Sequence, residues 1–196
     1  MKSEFFIDFE NKVSNINLVK LTSLKPLEKV MPTHLRYISE QIELSGFINK
    51  PLIIDNKHNI ILDGSHRYAY LKAHGYTYAP VIAVDYSSDA ISVGNTLSHR
   101  YINDKNLVIT KKDVIDTALN NKLLNPRTTR HFFPFEKVDS PISLDKLDKT
   151  GSVCINELIH NNTIEEEIIC NQNYMNEIED EYKYIKSYSQ EQLETK

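Results

Sequence analysis

The sequence has no hydrophobic run long enough to cross a membrane, because its apolar residues come in short groups broken by charged ones. A spanning helix needs about 18 apolar residues in a row, so we exclude a membrane-embedded protein. The first apolar run, within residues 1–12, contains acids and lacks a small-residue cleavage site, which argues against a secretory signal. The cytoplasm is therefore the expected location.

Cysteine is scarce as well, and several familiar site motifs are missing. The only two cysteines, Cys154 and Cys170, belong to no CxxC pair, which argues against a zinc module and a disulfide scaffold. We expect them to be buried or half-buried thiols. No GxxxxGK[ST], GxSxG, HExxH or kinase-type glycine-rich loop is present, so a common nucleotide fold is not indicated.

Positive charge never forms a continuous run, and negative charge is concentrated near the C-terminus. The net charge is -4, and residues 151–196 hold 3 lysines against 10 acids. Such a distribution gives little support for nucleic-acid binding but is compatible with a small anionic ligand. The length of 196 residues fits one domain with an appendage. We predict a domain of residues 1–140 and an acidic, mainly helical extension of residues 141–196 packed on it.

The order of apolar patterns and breakers predicts alternating strands and helices. The predicted elements are a strand at residues 19–22, a helix at 33–45 capped by Thr33 and ended by Gly46, a hairpin of 50–55 and 60–62, a helix at 68–73 ended by Gly75, a strand at 79–84, a helix at 111–124 introduced by Thr110 and Asp113, and an acidic helix from Glu157 onward.

The sharpest local feature is the loop Asp63-Gly64-Ser65-His66-Arg67, which joins a predicted strand to a predicted helix. A strand that turns through a glycine into a helix presents free backbone N–H groups, which bind anions. Arg67 adds a guanidinium that grips phosphate with two parallel hydrogen bonds. The alternative is an ordinary turn in which Asp63 or Ser65 only caps the helix.

Two further features have weaker local support. Glu28 follows a proline-containing loop, and a loop glutamate is usually a solvated surface residue. Thr128-Thr129-Arg130-His131 places two hydroxyls, a guanidinium and an imidazole next to one another, a combination suited to holding a carboxylate or phosphate. The alternative for that cluster is a polar loop without function.

Together these segments resemble the free serine kinases of the ParB/sulfiredoxin superfamily, which phosphorylate L-serine to O-phospho-L-serine with ADP or ATP. The resemblance spans residues 24–131 and rests on the segments LKPLEKV, NKPLIID, ILDGSHRYAYLKAHGY, APVIAVDY and NPRTTRH. It implies a compact α/β, ParB/sulfiredoxin-like catalytic domain with a small mixed sheet and flanking helices.

The resemblance also implies a role for each candidate site residue. Glu28 is the expected general base, and Asp63 the expected second carboxylate or partner of Mg²⁺. The nucleotide phosphates are expected at Gly64, Ser65, His66 and Arg67. The serine carboxylate and the transferred phosphoryl group are expected at Thr128, Thr129, Arg130 and His131.

The relatives within the superfamily supply the competing interpretations. Ser65 stands where many serine kinases have histidine, and the chain has no tryptophan for the substrate pocket. A sulfiredoxin needs a cysteine at the position of Ser65, and a ParB protein needs a basic recognition helix after His131. The remaining alternative is a non-enzymatic nucleotide-binding module that contacts a partner protein through its acidic C-terminal segment.

Overall fold

The computed structural model describes residues 16–95, 108–137 and 139–161. None of the helices in these ranges is long and apolar enough to span a bilayer. The elements are β1 (Asn17–Lys20), α1 (Pro32–Ser45), β2 (Phe47–Ile48), β3 (Leu52–Asp55), β4 (Ile61–Asp63), α2 (Ser65–Ala73), β5 (Tyr78–Val84), β6 (Ser92–Asn95), α3 (Lys111–Leu119), β7 (Thr129–Phe132) and β8 (Ile142–Ser143), with 3₁₀ turns at Leu21–Ser23, Leu144–Lys146 and Asn156–Leu158.

The central sheet is small and mixed, as the resemblance to the serine kinases implies. Its four strands lie in the order β1-β5-β3-β4, with β3 and β5 parallel and the two outer pairs antiparallel. The predicted hairpin is the β3–β4 pair. The chain leaves β4, forms α2 over one face of the sheet and then returns as β5, which pairs with β3. The end of β4 and the start of α2 therefore meet at one edge.

Strand β3 divides the core into two layers. All four of its residues are buried, and successive side chains point to opposite faces. Leu52 and Ile54 pack in the cluster that contains Leu71 of α2, whereas Ile53 packs in the cluster that contains Val114 of α3. The continuous aliphatic run in the sequence thus reflects a strand covered on both faces.

The helix boundaries correct three of the predictions. Helix α2 begins at Ser65, three residues before the predicted start. Helix α1 begins at Pro32 with Met31 as its N-cap, so the assignment of Thr33 as the cap is wrong; proline is well suited to the first helical position. Gly46 ends α1 as expected, in the left-handed conformation with φ 73°. Helix α3 has the expected capping box of Thr110 and Asp113 but ends at Leu119. The residues up to 124 leave the helix because the chain turns there toward Glu28.

The described part of the C-terminal region, residues 139–161, packs on the body through short elements rather than a regular α-helix. Strand β8 pairs with β2, and Leu147 and Leu158 are completely or almost completely buried in the core cluster of α2. Cys154 is exposed, contrary to the expectation of a buried thiol. Cys170 and most of the predicted acidic helix lie outside the described residues.

Candidate active site

A cleft of about 720 Å³ opens between α1, the start of α2 and the strand β7. Its size is in the usual range for small-molecule sites. Nine of the predicted site residues line it, although they are far apart in the sequence: Glu28, Asp63, Gly64, Ser65, His66, Arg67, Thr129, Arg130 and His131. The structure thus brings the predicted acid, the glycine turn and most of the polar cluster to one place.

Thr128 is the exception among the predicted site residues. It is 3% exposed, and its hydroxyl donates to the backbone carbonyl of Asn125 at 2.8 Å. This hydrogen bond closes the turn that leads into β7, so the Thr128 side chain holds the backbone of the cluster instead of lining the cleft.

Glu28 is held at the floor of the cleft by three hydrogen bonds from the chain around β7. Its Oε1 accepts the backbone N–H of Thr129 at 2.6 Å and the Thr129 hydroxyl at 2.8 Å. Its Oε2 accepts the backbone N–H of Arg127 at 3.2 Å. A carboxylate has about four acceptor positions, so these donors leave one on Oε2 for a ligand.

The surroundings of Glu28 tune its acidity. Burial raises the pKa of its carboxyl from 4.5 to about 7, against the opposing effect of the hydrogen bonds from Thr129 and Arg127. A carboxylate with such a pKa at a rigid position is suited to exchange a proton near neutral pH. A solvated surface glutamate would have neither a raised pKa nor a fixed position. The structure therefore excludes the alternative that Glu28 is a solvated surface residue.

Asp63, at the end of β4, faces two cations. Lys137 Nζ lies 2.9 Å from its Oδ2, and Arg67 Nη2 lies 3.6 Å from the same atom. Burial raises the pKa of the Asp63 carboxyl, but the charges of Arg67 and Lys137 outweigh that effect and hold the pKa below its ordinary value. The two carboxyl groups of the cleft therefore differ, since Asp63 is a fixed anion and Glu28 is poised to titrate.

The guanidinium of Arg67 lies between the glycine turn and the backbone just before β3. Its Nη1 donates to the backbone carbonyls of Lys50 and Pro51, the latter at 3.1 Å. Gly64 has φ +102°, and a Cβ there would lie 3.0 Å from Arg67 Nη2. Arg67 thus stabilises the glycine turn. Its Nη1 donates to backbone carbonyls, which differs from the expectation that the guanidinium binds phosphate through two parallel hydrogen bonds.

His66 connects the starts of α1 and α2. The backbone N–H of Met31, the N-cap of α1, donates to His66 Nε2 at 3.1 Å. Because Nε2 accepts, the neutral ring carries its proton on Nδ1. Burial lowers the pKa of His66 well below its ordinary value, and the nearby His34 and Arg127 lower it further. His66 is therefore a neutral side chain at neutral pH.

His131 lines the cleft as a neutral side chain and contributes no positive charge at neutral pH. It is 6% exposed, and its Nε2 lies 2.9 Å from the hydroxyl oxygen of Tyr86. Burial lowers the pKa of His131 to about 4, although the charge of Asp63 and the Leu62 carbonyl act in the opposite direction. The positive charge of the Thr128–His131 cluster consequently comes from Arg130, and Arg127 lies directly before the cluster in the chain.

The cleft is also lined by residues outside the predicted set, among them His34, Arg127 and Lys137. The His34 ring meets the His66 ring edge to face, with centroids 4.5 Å apart, and burial lowers the pKa of His34 to about 4. Arg127 has φ 55°, a left-handed conformation that aims its N–H at Glu28. Only the position of Arg127 next to the cluster gave a sequence signal; nothing local marked His34 or Lys137.

Comparison with known proteins confirms the resemblance to serine kinases. No protein-family model matches the chain. An ATP-dependent L-serine kinase of Staphylothermus marinus is 30% identical over 80 residues, 39% of this chain and 32% of the relative. The ADP-dependent L-serine kinase SerK of Thermococcus kodakarensis is 30% identical over 90 residues, 44% and 37% of the two chains. A ParB-like protein of Sulfolobus acidocaldarius is 35% identical over 85 residues, 41% of each. The chain thus matches well under half the length of these relatives.

Solved structures confirm the fold. A free serine kinase in complex with AMP superposes with a TM-score of 0.61 at 18% identity, covering 72% of this chain and 97% of the kinase. A glutamate-to-alanine mutant of a free serine kinase in complex with ADP gives 0.61 at 17% identity, covering 72% and 98%. SbnI of Staphylococcus aureus, truncated at its C-terminus, gives 0.55 at 12% identity, covering 85% and 97%.

Proposed function

We propose that this chain is a free L-serine kinase that transfers a phosphoryl group from ADP or ATP to the serine hydroxyl. The observation that carries the proposal is Glu28, a carboxylate with a pKa of about 7 fixed by three donors in a cleft with cations and a helix N-terminus. The similarity to ADP- and ATP-dependent L-serine kinases supplies the substrate class.

Glu28 acts as the general base in this proposal. The open acceptor position on its Oε2 receives the proton of the serine hydroxyl as the serine oxygen attacks the terminal phosphorus. The bond between that phosphorus and the bridging oxygen breaks, which releases AMP from ADP or ADP from ATP. The product is O-phospho-L-serine, and the proton on Glu28 then passes to solvent.

The start of α2 is the proposed phosphate site. The first-turn N–H groups of an α-helix have no acceptor inside the helix, so those of Ser65, His66 and Arg67 face an incoming anion beside the Gly64 turn. The Nδ1–H of neutral His66 is a further donor. Phosphoryl transfer depends mainly on positioning and charge neutralisation, which these donors and the Lys137 ammonium provide.

The acceptor serine is assigned to the part of the cleft next to Glu28. Arg130 also lines the cleft and is suited to bind the serine carboxylate. The Thr129 hydroxyl already donates to Glu28, so its part is to orient the base. A short amino acid lets the hydroxyl reach Oε2 while its carboxylate stays at Arg130, whereas the extra methyl group of threonine crowds that approach.

Magnesium is the proposed companion of the nucleotide. The described residues hold no group of three or more His, Cys, Asp or Glu side chains able to bind a metal ion by themselves. Mg²⁺ commonly keeps several waters and binds one or two carboxylates together with substrate phosphates, and the ionised Asp63 suits that role. The ion would neutralise phosphate charge during transfer. We place the reaction in the cytoplasm, where nucleotides and free serine are available.

The test is the formation of O-phosphoserine from L-serine, measured separately with ADP and with ATP over a range of Mg²⁺ concentrations and pH. We expect product with at least one donor, little with L-threonine and none with L-alanine. Nucleotide binding without phosphoserine from either donor would contradict the kinase and indicate a regulatory nucleotide-binding module, whose partner surface we would seek in the acidic C-terminal segment.

A further inference from the structure

Glu28 belongs to a short extended segment, residues 27–30, that lies outside the central sheet. On one side, the N–H of Leu124 donates to the carbonyl of Leu27, and the N–H of Lys29 donates to the carbonyl of Leu124, both at 2.9 Å. This pair of hydrogen bonds forms a single parallel bridge opposite Glu28. The chain just before β7 therefore supports one edge of the segment.

The other edge is supported by residues 156–160, which we call the C-terminal strap. The N–H of Val30 donates to the carbonyl of Leu158 at 2.7 Å, and the N–H of His160 donates to the carbonyl of Val30 at 2.9 Å. Leu158 is 2% exposed and packs in the same core cluster as Val30, which is 1% exposed. The glutamate-bearing segment thus lies between the strap and the chain before β7, with one isolated parallel bridge to each.

The strap also contacts the helix that forms the proposed phosphate site. Lys72 of α2 lies 3.0 Å from the carboxylate of Glu157. Next to Val30, Met31 is the N-cap of α1 and donates its N–H to His66. A displacement of the strap would therefore be transmitted first to the segment that carries Glu28.

We infer that the C-terminal strap positions Glu28 for proton transfer, with Leu158 as the positioning residue; this inference rests on the proposed kinase function. Leu158 is not among the residues that line the cleft, and it acts by keeping the backbone at Val30 in register. Because Glu28 is two residues from Val30, small backbone shifts there lengthen the contacts with Thr129. Misplacement of a reacting group by about 1 Å costs on the order of 10²-fold in rate.

The test compares Leu158→Ala with Leu147→Ala in the full chain. Both leucines are buried in the same core cluster, so both substitutions remove the same atoms from one core. Leu147, however, bonds through its carbonyl to the backbone of Thr77 and Tyr78, at the end of the core near β5. We expect similar decreases in melting temperature from the two variants. Only Leu158→Ala is expected to lower kcat by about 10-fold or more, with the nucleotide KM unchanged.

A second variant and a second readout separate positioning from general destabilisation. His160→Pro removes the N–H that donates to Val30 and leaves the core side chains in place. The amide resonance of Thr129, which bonds to Glu28, should follow the titration of Glu28 in NMR spectra and requires no turnover. We expect its midpoint to shift in Leu158→Ala and His160→Pro, to stay constant in Leu147→Ala, and to be restored in Leu158→Met.

The outcomes distinguish the inference from the function on which it rests. Unchanged kcat and unchanged Thr129 midpoint in both strap variants, or equal changes in Leu147→Ala, would overturn the positioning role. Absence of phosphoserine from the unmodified chain would overturn the kinase. In that case the Thr129 titration would still establish or refute the control of Glu28 by the strap.

Discussion

Thr129 donates both its backbone N–H and its hydroxyl to the same carboxylate oxygen of Glu28, although the two residues are 101 positions apart in the chain. A single threonine therefore fixes the orientation of the proposed base. Among the described residues, the second oxygen, Oε2, accepts only the hydrogen bond from the backbone N–H of Arg127, at 3.2 Å. This asymmetry defines the oxygen that we propose as the proton acceptor.

Replacement of Glu28 by glutamine should abolish proton acceptance and keep the shape of the cleft. We expect turnover to fall by about 10²-fold or more, with nucleotide affinity retained, because the amide oxygen still accepts from Thr129. Phosphoserine assays and calorimetry measure the two properties. Glu40→Gln, at an exposed position of α1, is the matched control. Full activity of Glu28→Gln would transfer the base role to another group, and Asp63 would be examined first.

The rate should depend on the protonation of Glu28. Since its pKa is about 7 and the base must be ionised, kcat/KM for serine should rise with pH and reach half its maximum near pH 7. An ordinary glutamate would place this limb more than two pH units lower. A profile that is flat between pH 6 and 8 would show that Glu28 does not control the rate.

Protein stability should show the opposite dependence on pH. A carboxyl whose folded pKa is raised stabilises the fold below its unfolded pKa, near 4.5, and that contribution is lost as pH rises through about 7. The melting temperature of the unmodified chain should therefore fall relative to that of Glu28→Gln between pH 4.5 and 8. Parallel curves for the two proteins would contradict the raised pKa.

The glycine turn allows a direct test of backbone conformation. Gly64→Ala combines a φ of +102° with a Cβ 3.1 Å from Leu52 Cγ and 3.0 Å from Arg67 Nη2. We expect a loss of about 1–3 kcal/mol in the free energy of unfolding, together with weaker nucleotide binding. Gly94→Ala is the control, because a Cβ there meets no atom of the described residues within 4 Å. Equal denaturation midpoints for the two variants would contradict strain at Gly64.

Arg67→Ala should weaken nucleotide binding, even though its Nη1 bonds to protein. Removal of the side chain leaves the carbonyls of Lys50 and Pro51 without their donor and frees the turn at Gly64. We expect a loss of ~2 kcal/mol in binding free energy by calorimetry, with only partial recovery in Arg67→Lys. Arg36→Ala, exposed on α1, is the control. Unchanged nucleotide affinity in Arg67→Ala would contradict a role of Arg67 in stabilising the nucleotide site.

Sequence reasoning located the parts of the site that have local signatures. The glycine turn after Asp63 and the Thr110–Asp113 capping box follow from short-range physical rules, and both are present, although α2 already begins at Ser65 and takes in residues predicted as loop. The end of α3 at Leu119 did not follow, because Leu124 is drawn away by a hydrogen-bonded bridge to the Glu28 segment. That bridge joins distant parts of the chain and leaves no local pattern.

The missed residues have the same physical cause. His34 enters the cleft because α1 packs against α2, and Lys137 enters because the chain after β7 returns to Asp63. Neither approach can be seen from the neighbours of these residues in the sequence. The prediction that Thr128 lines the cleft failed for a different reason. A threonine hydroxyl can donate to a nearby backbone carbonyl as readily as to a ligand, and the Thr128 hydroxyl donates to the carbonyl of Asn125.

The segment around Glu28 also has a consequence for the order in which the molecule folds. The β3–β4 hairpin and α2 are close in sequence and can form early, whereas the hydrogen bonds of Glu28 close loops of 99 and 101 residues. Closing such long loops costs entropy before any contact repays it. We therefore expect the acidic floor of the cleft to be completed late, after the sheet and α2 have already formed.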